Sequence, residues 1–321
     1  MKYFDPHEQQ YHSKYNRAFT KYLYRIKLLW YKYICKRRIF AIAPWISMSW
    51  GRVEHNNWGD DINVFFLSHI ASDVLLPREV YAQPKSIYFK GMSNFPIVYT
   101  IGSVLHLVSE DNAIIWGSGL INEKLLPPIK SITIKAVRGP LTRKVLMDHG
   151  FDCPQVYGDP ALLLPLYYHP RKIKKKIKLG IIPHYVDENK AELSQFKNDD
   201  SITIIHMTGY RNWTDVINQI LSCECVASSS LHGIIISEAY GVPNLWVEIK
   251  EPIVGDSSRR FKFHDFFQSI GLDREAPFSI QTDTKIEDII NQCLKYKKAP
   301  GLNLQPLIDA CPFKLKNQRY E

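Results

Sequence analysis

The chain has 321 residues, of which 45% are hydrophobic and 23% charged. That is the composition of a globular protein able to bury a sizeable core without disulfide or metal staples. No apolar run approaches the ~18 residues of a membrane-spanning helix, which excludes a polytopic membrane protein, and the opening MKYFDPHEQQ is not a secretory signal. The net charge of +9 is lopsided: residues 1–40 hold ten Lys/Arg and two acids, whereas the rest of the chain holds 31 basic and 30 acidic side chains. A near-neutral body with a basic amino-terminal segment argues against nucleic-acid binding, which spreads cationic surface over the body. Of the six cysteines only Cys223 and Cys225 are close. No second pair stands at zinc spacing, so no metal site is expected and the cysteines read as reduced, intracellular and mostly core.

Residues 11–38 read as one amphipathic helix. Tyr15, Phe19, Tyr22, Ile26, Leu29 and Tyr33 recur at helical spacing, with Lys14, Arg17, Lys21, Arg25, Lys32 and Lys36 opposite. The stripe suits either an anionic membrane surface or packing against the body. From residue 41 short apolar runs alternate with helical patterns. Strands are expected at 45–50, 86–89, 113–116, 132–137, 178–182, 202–206, 224–227 and 244–248, and helices at 61–76, 140–149, 213–222, 232–240 and 285–297. Strands alternating with helices imply parallel α/β sheets. The segment PLYYHPRKIKKKIK at 165–178 reads as a solvated connector. The organisation expected is a basic extension (1–40), a first domain (41–168), a linker (169–178) and a second domain (179–321) whose last helix packs back on the first. A cleft between the domains would face the C-terminal strand ends.

The motifs with chemical content lie at those ends. Asn56-Asn57-Trp58-Gly59-Asp60-Asp61 opens a helix, where a carboxylate either caps it or meets a sugar hydroxyl or proton. Gly117-Ser118-Gly119 lets backbone N–H groups approach an anion, but it is only half of a dinucleotide fingerprint. Arg138-Gly-Pro140 places a guanidinium before a helix, for a phosphate, a carboxylate or a neighbouring acid. Asp159, in Gly158-Asp159-Pro160-Ala161, reads as a turn former or cap, and His184 follows a strand. The sharpest signal is Ser228-Ser229-Ser230-Leu231-His232-Gly233, a strand running into serines and then a helix. The hydroxyls and first helical N–H groups form an anion site, with His232 beside it at a near-neutral pKa suited to proton transfer. The stretch 255–266, with Arg260 and Lys262, is either a cationic loop over the cleft or plain surface.

In this order, Asn57-x-Gly59-Asp60, Gly117-Ser118-Gly119, Arg138-Gly139-Pro140, Gly158-Asp159-Pro160-Ala161, Pro183-His184, Ser230-Leu231-His232-Gly233 and Lys262-Phe263 resemble the polysaccharide pyruvyl transferase family over residues 45 to about 270, leaving the first 40 residues uncovered. The resemblance implies two Rossmann-like domains facing a cleft, as in glycosyltransferases of the B type. It implies an enzyme that moves the pyruvyl group of phosphoenolpyruvate onto two hydroxyls of a sugar, often a 4,6-diol, in a capsule, an exopolysaccharide or a lipid-linked precursor. Phosphoenolpyruvate is a co-substrate, and no cofactor is implied. His232 and Asp60 are then the catalytic acid/base residues. Arg138, Ser229, Ser230, Leu231, Gly233, Arg260 and Lys262 are donor-binding, and Asn57, Asp61, Gly117, Ser118, Gly119 and His184 acceptor-binding. Some members carry Arg where this chain has Ser230, which removes one donor-binding cation. The partners expected are phosphoenolpyruvate, a sugar or lipid-linked oligosaccharide and, through residues 11–38, an anionic membrane, placing the protein in the cytoplasm at the inner membrane face. The rival readings are a nucleotide-sugar glycosyltransferase of the same fold and a non-catalytic membrane adaptor.

Overall fold

In a computed structural model the chain is described over residues 29–43, 48–49, 52–53, 57–77, 95–111, 113–170, 173–249, 260–296 and 298–317. Its α/β architecture is built on two five-stranded parallel sheets. After a turn of π-helix at Trp30–Ile34, the first half contains β1 (Ile39–Ala43), the two-residue antiparallel pair β2 (Met48–Ser49) and β3 (Arg52–Val53), α1 (Trp58–Ile70), β4 (Val74–Pro77), β5 (Ile97–Tyr99), β6 (Ala113–Trp116), β7 (Thr133–Ala136), α2 (Pro140–Asp148) and the short α3 (Leu164–Tyr167). The second half contains β8 (Ile177–Ile182), β9 (Ile202–Ile204), α4 (Trp213–Leu221), β10 (Cys223–Ser228), α5 (Leu231–Tyr240), β11 (Asn244–Ile249), α6 (Phe261–Ser269), β12 (Phe278–Ile280), α7 (Ile286–Leu294) and α8 (Gln305–Asp309).

The sheets run β4-β1-β5-β6-β7 and β12-β11-β10-β8-β9. Numbered within each half, both have the order 2-1-3-4-5, although no repeat is visible in the sequence. Strand order reverses between β1 and β5 in one sheet and between β8 and β10 in the other, and such crevices at the carboxyl ends of strands bind ligands in open α/β sheets. The strands look as parallel sheets require. IFAIA of β1 is buried throughout, while the edge strand β7 alternates exposed and buried.

Several expectations are corrected. The helix expected at 61–76 is α1 followed by β4. No Gly or Pro stands between them, but Ala71 is extended and Val74 pairs with Ile39 of β1. The helix expected over 11–38 ends at Ile34 in its described part, and Lys36 takes a left-handed turn (φ 49°) into β1. Residues 1–28 and the strand expected at 86–89 lie outside the described residues, as does most of 45–50. Strands β1, β4, β5 and β12 were not anticipated, because apolar runs of three to five residues carry no distinguishing period, and neither was α6, which begins in the stretch 255–266 read as a loop or plain surface.

One core runs through both halves, joining Trp58, Ile62 and Trp116 to Ile182, Ile234 and Phe266. The chain then returns to the first half after β12 and α7. Trp116 Nε1 donates to Leu307 O (2.8 Å), Ser72 N to Lys314 O (2.7 Å), and Lys314 N to the Asp73 carboxylate (2.7 Å).

The polar counterpart of that core is an ion pair. Arg138 follows β7 and Asp265 lies in α6, and both are fully buried. Arg138 Nε donates to Asp265 Oδ2 (2.9 Å), one of its terminal nitrogens donates to Leu120 O (2.7 Å) and the other to Ser103 Oγ. The Asp265 carboxylate also accepts from Thr142 N (2.8 Å) and Thr142 Oγ1 (2.7 Å), capping α2 from the other half of the molecule. The backbone makes room at two glycines: a Cβ on Gly119 would overlap the guanidinium, and one on Gly139 would overlap the backbone of Asp265. Replacing Asp265 with Ala strands a buried cation and uncaps α2. We expect it to cost about 3–5 kcal/mol, read as a lowered urea midpoint. A midpoint within error of wild type would show that the pair does not hold the halves together.

Candidate active site

Four chain segments converge where the two strand-order reversals face each other. The first is the start of α1. Asn57 caps it: its Oδ1 accepts from Gly59 N (3.2 Å), and its Nδ2 donates to Asp60 Oδ2 (2.7 Å). Burial raises the Asp60 pKa to about 6, against the lowering effects of that hydrogen bond and of the Lys262 charge. Asp61 turns the other way, into the second half, where it accepts from the Tyr210 hydroxyl. Burial pushes its pKa up to about 7, with the Asp60 charge adding to the rise.

The second segment is the loop after β5. Asn63 of α1 accepts from Thr100 Oγ1 and Ile101 N (2.8 Å each) and donates to Ile101 O (3.0 Å), holding this loop against the helix. Gly102, at φ +113°, carries the chain past Asp60.

The third is the start of α5. Ser228 Oγ accepts from Ser230 N (3.1 Å), and the close approach of Gly233 to that hydroxyl leaves no room for a Cβ. Ser229 works between loops, accepting from His184 N (2.9 Å) and donating to Asp187 (2.8 Å). Ser230 holds the N-cap position without a side-chain capping bond, and Leu231 is buried. His232 lies across Gly59, where an added Cβ would overlap the imidazole, and its Nε2 is buried without a hydrogen-bond partner. A lone buried imidazole nitrogen of this kind is a vacant hydrogen-bonding position. Its pKa is not near neutral, as the local sequence suggested. Burial, and then the charges of Lys262, Arg138 and His184, lower it to about 3, so the ring is neutral at pH 7.

The fourth is the start of α6, where Lys262 exerts its charge on both Asp60 and His232. Arg260 is engaged elsewhere, in a bidentate pair with Glu248 (2.8 Å for each bond).

The structure therefore brings Asn57, Asp60, His232 and Lys262 together, with the Arg138 charge close behind and His184 at the side. It gives other expected site residues different work. Ser118 is fully buried and donates to Gly102 O (3.0 Å). Gly117, at φ +85°, passes too close to Pro160 for any side chain, and Gly119 passes Arg138. Asp159 caps Ala161 N (2.9 Å), in line with its structural reading. The residues without a role in the sequence reading are Asp265, Ser103, Asn63 and Tyr210. All are defined by partners far along the chain, and no local signal marks them.

The raised Asp60 pKa gives a pH-dependent expectation. Ionisation of Asp60 costs the folded state stability. The cost is full above pH 6 and gone once pH falls below the unfolded value of 3.8. Asp60→Asn should therefore raise the thermal midpoint at pH 8 and lose that advantage near pH 4. A constant offset across this range in melts of the two proteins would contradict the burial of an ionisable Asp60.

An uncharacterized protein of Acanthamoeba polyphaga mimivirus is 32% identical over 171 residues, which are 52% of this chain and 58% of that protein. The succinoglycan biosynthesis protein ExoV of Rhizobium meliloti is 27% identical over 248 residues, 73% of this chain and 69% of that protein. The model of the polysaccharide pyruvyl transferase family matches residues 2–251, so the match reaches into the amino-terminal segment that the motifs alone left uncovered. With that model spanning most of its length, the chain belongs to the polysaccharide pyruvyl transferase family.

Proposed function

We propose that this protein transfers the pyruvyl group of phosphoenolpyruvate to two hydroxyls of one sugar residue, releasing phosphate and leaving a cyclic ketal. The observation that carries the proposal is the unpartnered, buried Nε2 of His232 at the start of a ten-residue helix, against Gly59 and in the field of the positive charges of Lys262 and Arg138. A helix N-terminus with cations beside it suits a phosphorylated carboxylic acid. The succinoglycan role in the name of the Rhizobium relative agrees with a polysaccharide acceptor.

In this reading the second half holds the donor and the first half the acceptor, as in B-type glycosyltransferases. The donor's phosphate and carboxylate lie at the N–H groups of α5 and at Lys262. Arg138, enclosed by Asp265, Leu120 and Ser103, contributes through its field, and Arg260 through fixing the start of α6. A bound polyanion raises the His232 pKa by offsetting the positive charges of Lys262 and Arg138, so the imidazole gains a proton as the donor arrives. Protonation of the donor's methylene carbon makes C2 electrophilic. One sugar hydroxyl adds to C2 and loses its proton, and the C2–O bond to phosphate breaks with phosphate leaving. The second hydroxyl then adds to C2 and loses its proton. His232 serves as acid and Asp60, with a pKa of about 6, as base.

The exposed side chains of Trp30, Tyr33 and Ile34, beside the basic residues Lys32, Lys36, Arg37 and Arg38, extend the proposal to an anionic membrane surface, where lipid-linked sugars are found. No helix among the described residues is long and apolar enough to cross a membrane. Tyr33→Ser with Ile34→Ser should weaken sedimentation with phosphatidylglycerol vesicles and leave turnover on a soluble acceptor intact. Unchanged sedimentation would remove the membrane from the proposal.

The reaction itself is tested by phosphate release from phosphoenolpyruvate over a panel of soluble and lipid-linked sugars, with mass spectrometry of the products. Acceptor-dependent release with a ketal product is expected, and His232→Ala should slow it by about 10²–10⁴-fold at unchanged thermal midpoint. Consumption of a sugar nucleotide in place of phosphoenolpyruvate, or wild-type rates in His232→Ala, would overturn the assignment.

A further inference from the structure

The segment between β9 and α4 holds the first turn of α1 at three points. Trp58 N donates to Met207 O (2.7 Å), Trp58 Nε1 donates to Trp213 O (2.7 Å), and the Tyr210 hydroxyl donates to Asp61. All three bonds cross from one half of the molecule to the other. The segment is itself braced, because Thr208 Oγ1 donates to the Glu188 carboxylate (3.1 Å) in the stretch that follows β8. The turn it grips is the one that carries Asp60 and sets Gly59 against His232.

We propose that Tyr210 is a positioning residue: through Asp61 it fixes the first turn of α1, so that Asp60 and Gly59 meet His232 in register. This rests on the proposed roles of Asp60 and His232, and it gives Asp61 a different task from binding the acceptor.

The physical reason is the burial of Asp61, which is 2% exposed. A carboxylate taken out of water needs donors, and losing one leaves the group under-solvated in a place it cannot easily leave. Without the phenol the α1 turn loses its tie at Asp61 and can shift toward solvent. Asp60 is the next residue on that turn, so the shift carries it away from His232. Burial pushes the Asp61 pKa up to about 7, and the Tyr210 hydrogen bond opposes that rise. Tyr210 touches no reacting atom in this account. Its effect passes through Asp61 and the helix.

Tyr210→Phe removes one oxygen and keeps the ring in the core, so it should fold. Phosphate release is measured for wild type, Tyr210→Phe, Asp61→Ala and the double variant, with donor and acceptor each varied. Displacing a catalytic group by about 1 Å commonly costs ~10² in rate, so kcat of Tyr210→Phe should fall by about 10–100-fold. KM for both substrates should stay within about twofold, since no binding contact is lost. The double variant should be no slower than the slower single variant, because both substitutions break the same tie. An unchanged kcat, a rise confined to the acceptor KM, or losses that multiply in the double variant would each overturn the proposal. The last two would make Asp61 an acceptor contact or an independent contributor.

A readout without turnover separates this proposal from the functional one. The Asp61 amide donates to Asn57 O (3.0 Å) in the first turn of α1, and its hydrogen exchange should quicken about tenfold in Tyr210→Phe, with later α1 amides unaffected. If wild type releases no phosphate with any acceptor but this exchange quickens, the function is wrong and the tie stands. Equal exchange in the two proteins sinks the tie whatever the activity.

Discussion

The structure depends on an ion pair buried where its two halves meet. Arg138 and Asp265 lie 127 positions apart in sequence and are both closed to water. A buried pair of this kind is a poor source of net stability compared with apolar packing, but it tolerates very few arrangements, since each charge stranded alone costs several kcal/mol. What it contributes is a fixed geometry. Asp265 binds Arg138 and the first turn of α2 together, Arg138 binds the loops at Ser103 and Leu120, and the positive field of the guanidinium reaches His232. The contact that aligns the halves therefore also sets the electrostatics of the candidate site.

Duplicated strand order gives that alignment its meaning. Each sheet has one reversal of strand order, and each reversal opens a crevice beyond its strand ends. The α1 turn and the Gly102 loop line one crevice, and the Ser229 tie and the α5 turn line the other. The proposed acid/base pair draws on both crevices. Asp60 comes from the first half, and His232 and Lys262 from the second. Burial raises the Asp60 pKa to about 6 and lowers that of His232 to about 3, so near pH 7 the resting site pairs a largely ionised carboxylate with a neutral imidazole.

Much of this was legible in the sequence, for reasons that differ by residue. Asn57, Gly59 and Asp60 form a cap-and-turn whose chemistry is local, and serines running into His232 mark a strand-to-helix junction that needs no distant information. Strands β6 to β11 announced themselves through apolar runs bounded by turns. Strands β1, β4 and β5 did not, because three to five apolar residues become a strand only through the neighbour they pair with. The helix starting at α1 was read on into β4 for the same reason. Pairings over a hundred residues or more, such as Arg138 with Asp265 and Asp61 with Tyr210, leave no local trace. Nor does burial: the same His232 in an open turn would titrate near neutrality, and only the approach of Gly59 and the nearby cations says otherwise.

The return of the carboxyl-terminal segment to the first half has a mechanical consequence. The backbone crosses between halves twice, once ahead of β8 and once between α7 and α8, and residues 307–316 are then bonded to β6 and to the α1–β4 corner. A body joined to another by one flexible link can pivot in any direction. Joined by two, it keeps one easy motion, a swing about the line through both links. With the shared core and the Arg138–Asp265 pair also spanning the halves, even that swing is resisted, and twisting motions that shear one crevice past the other are suppressed.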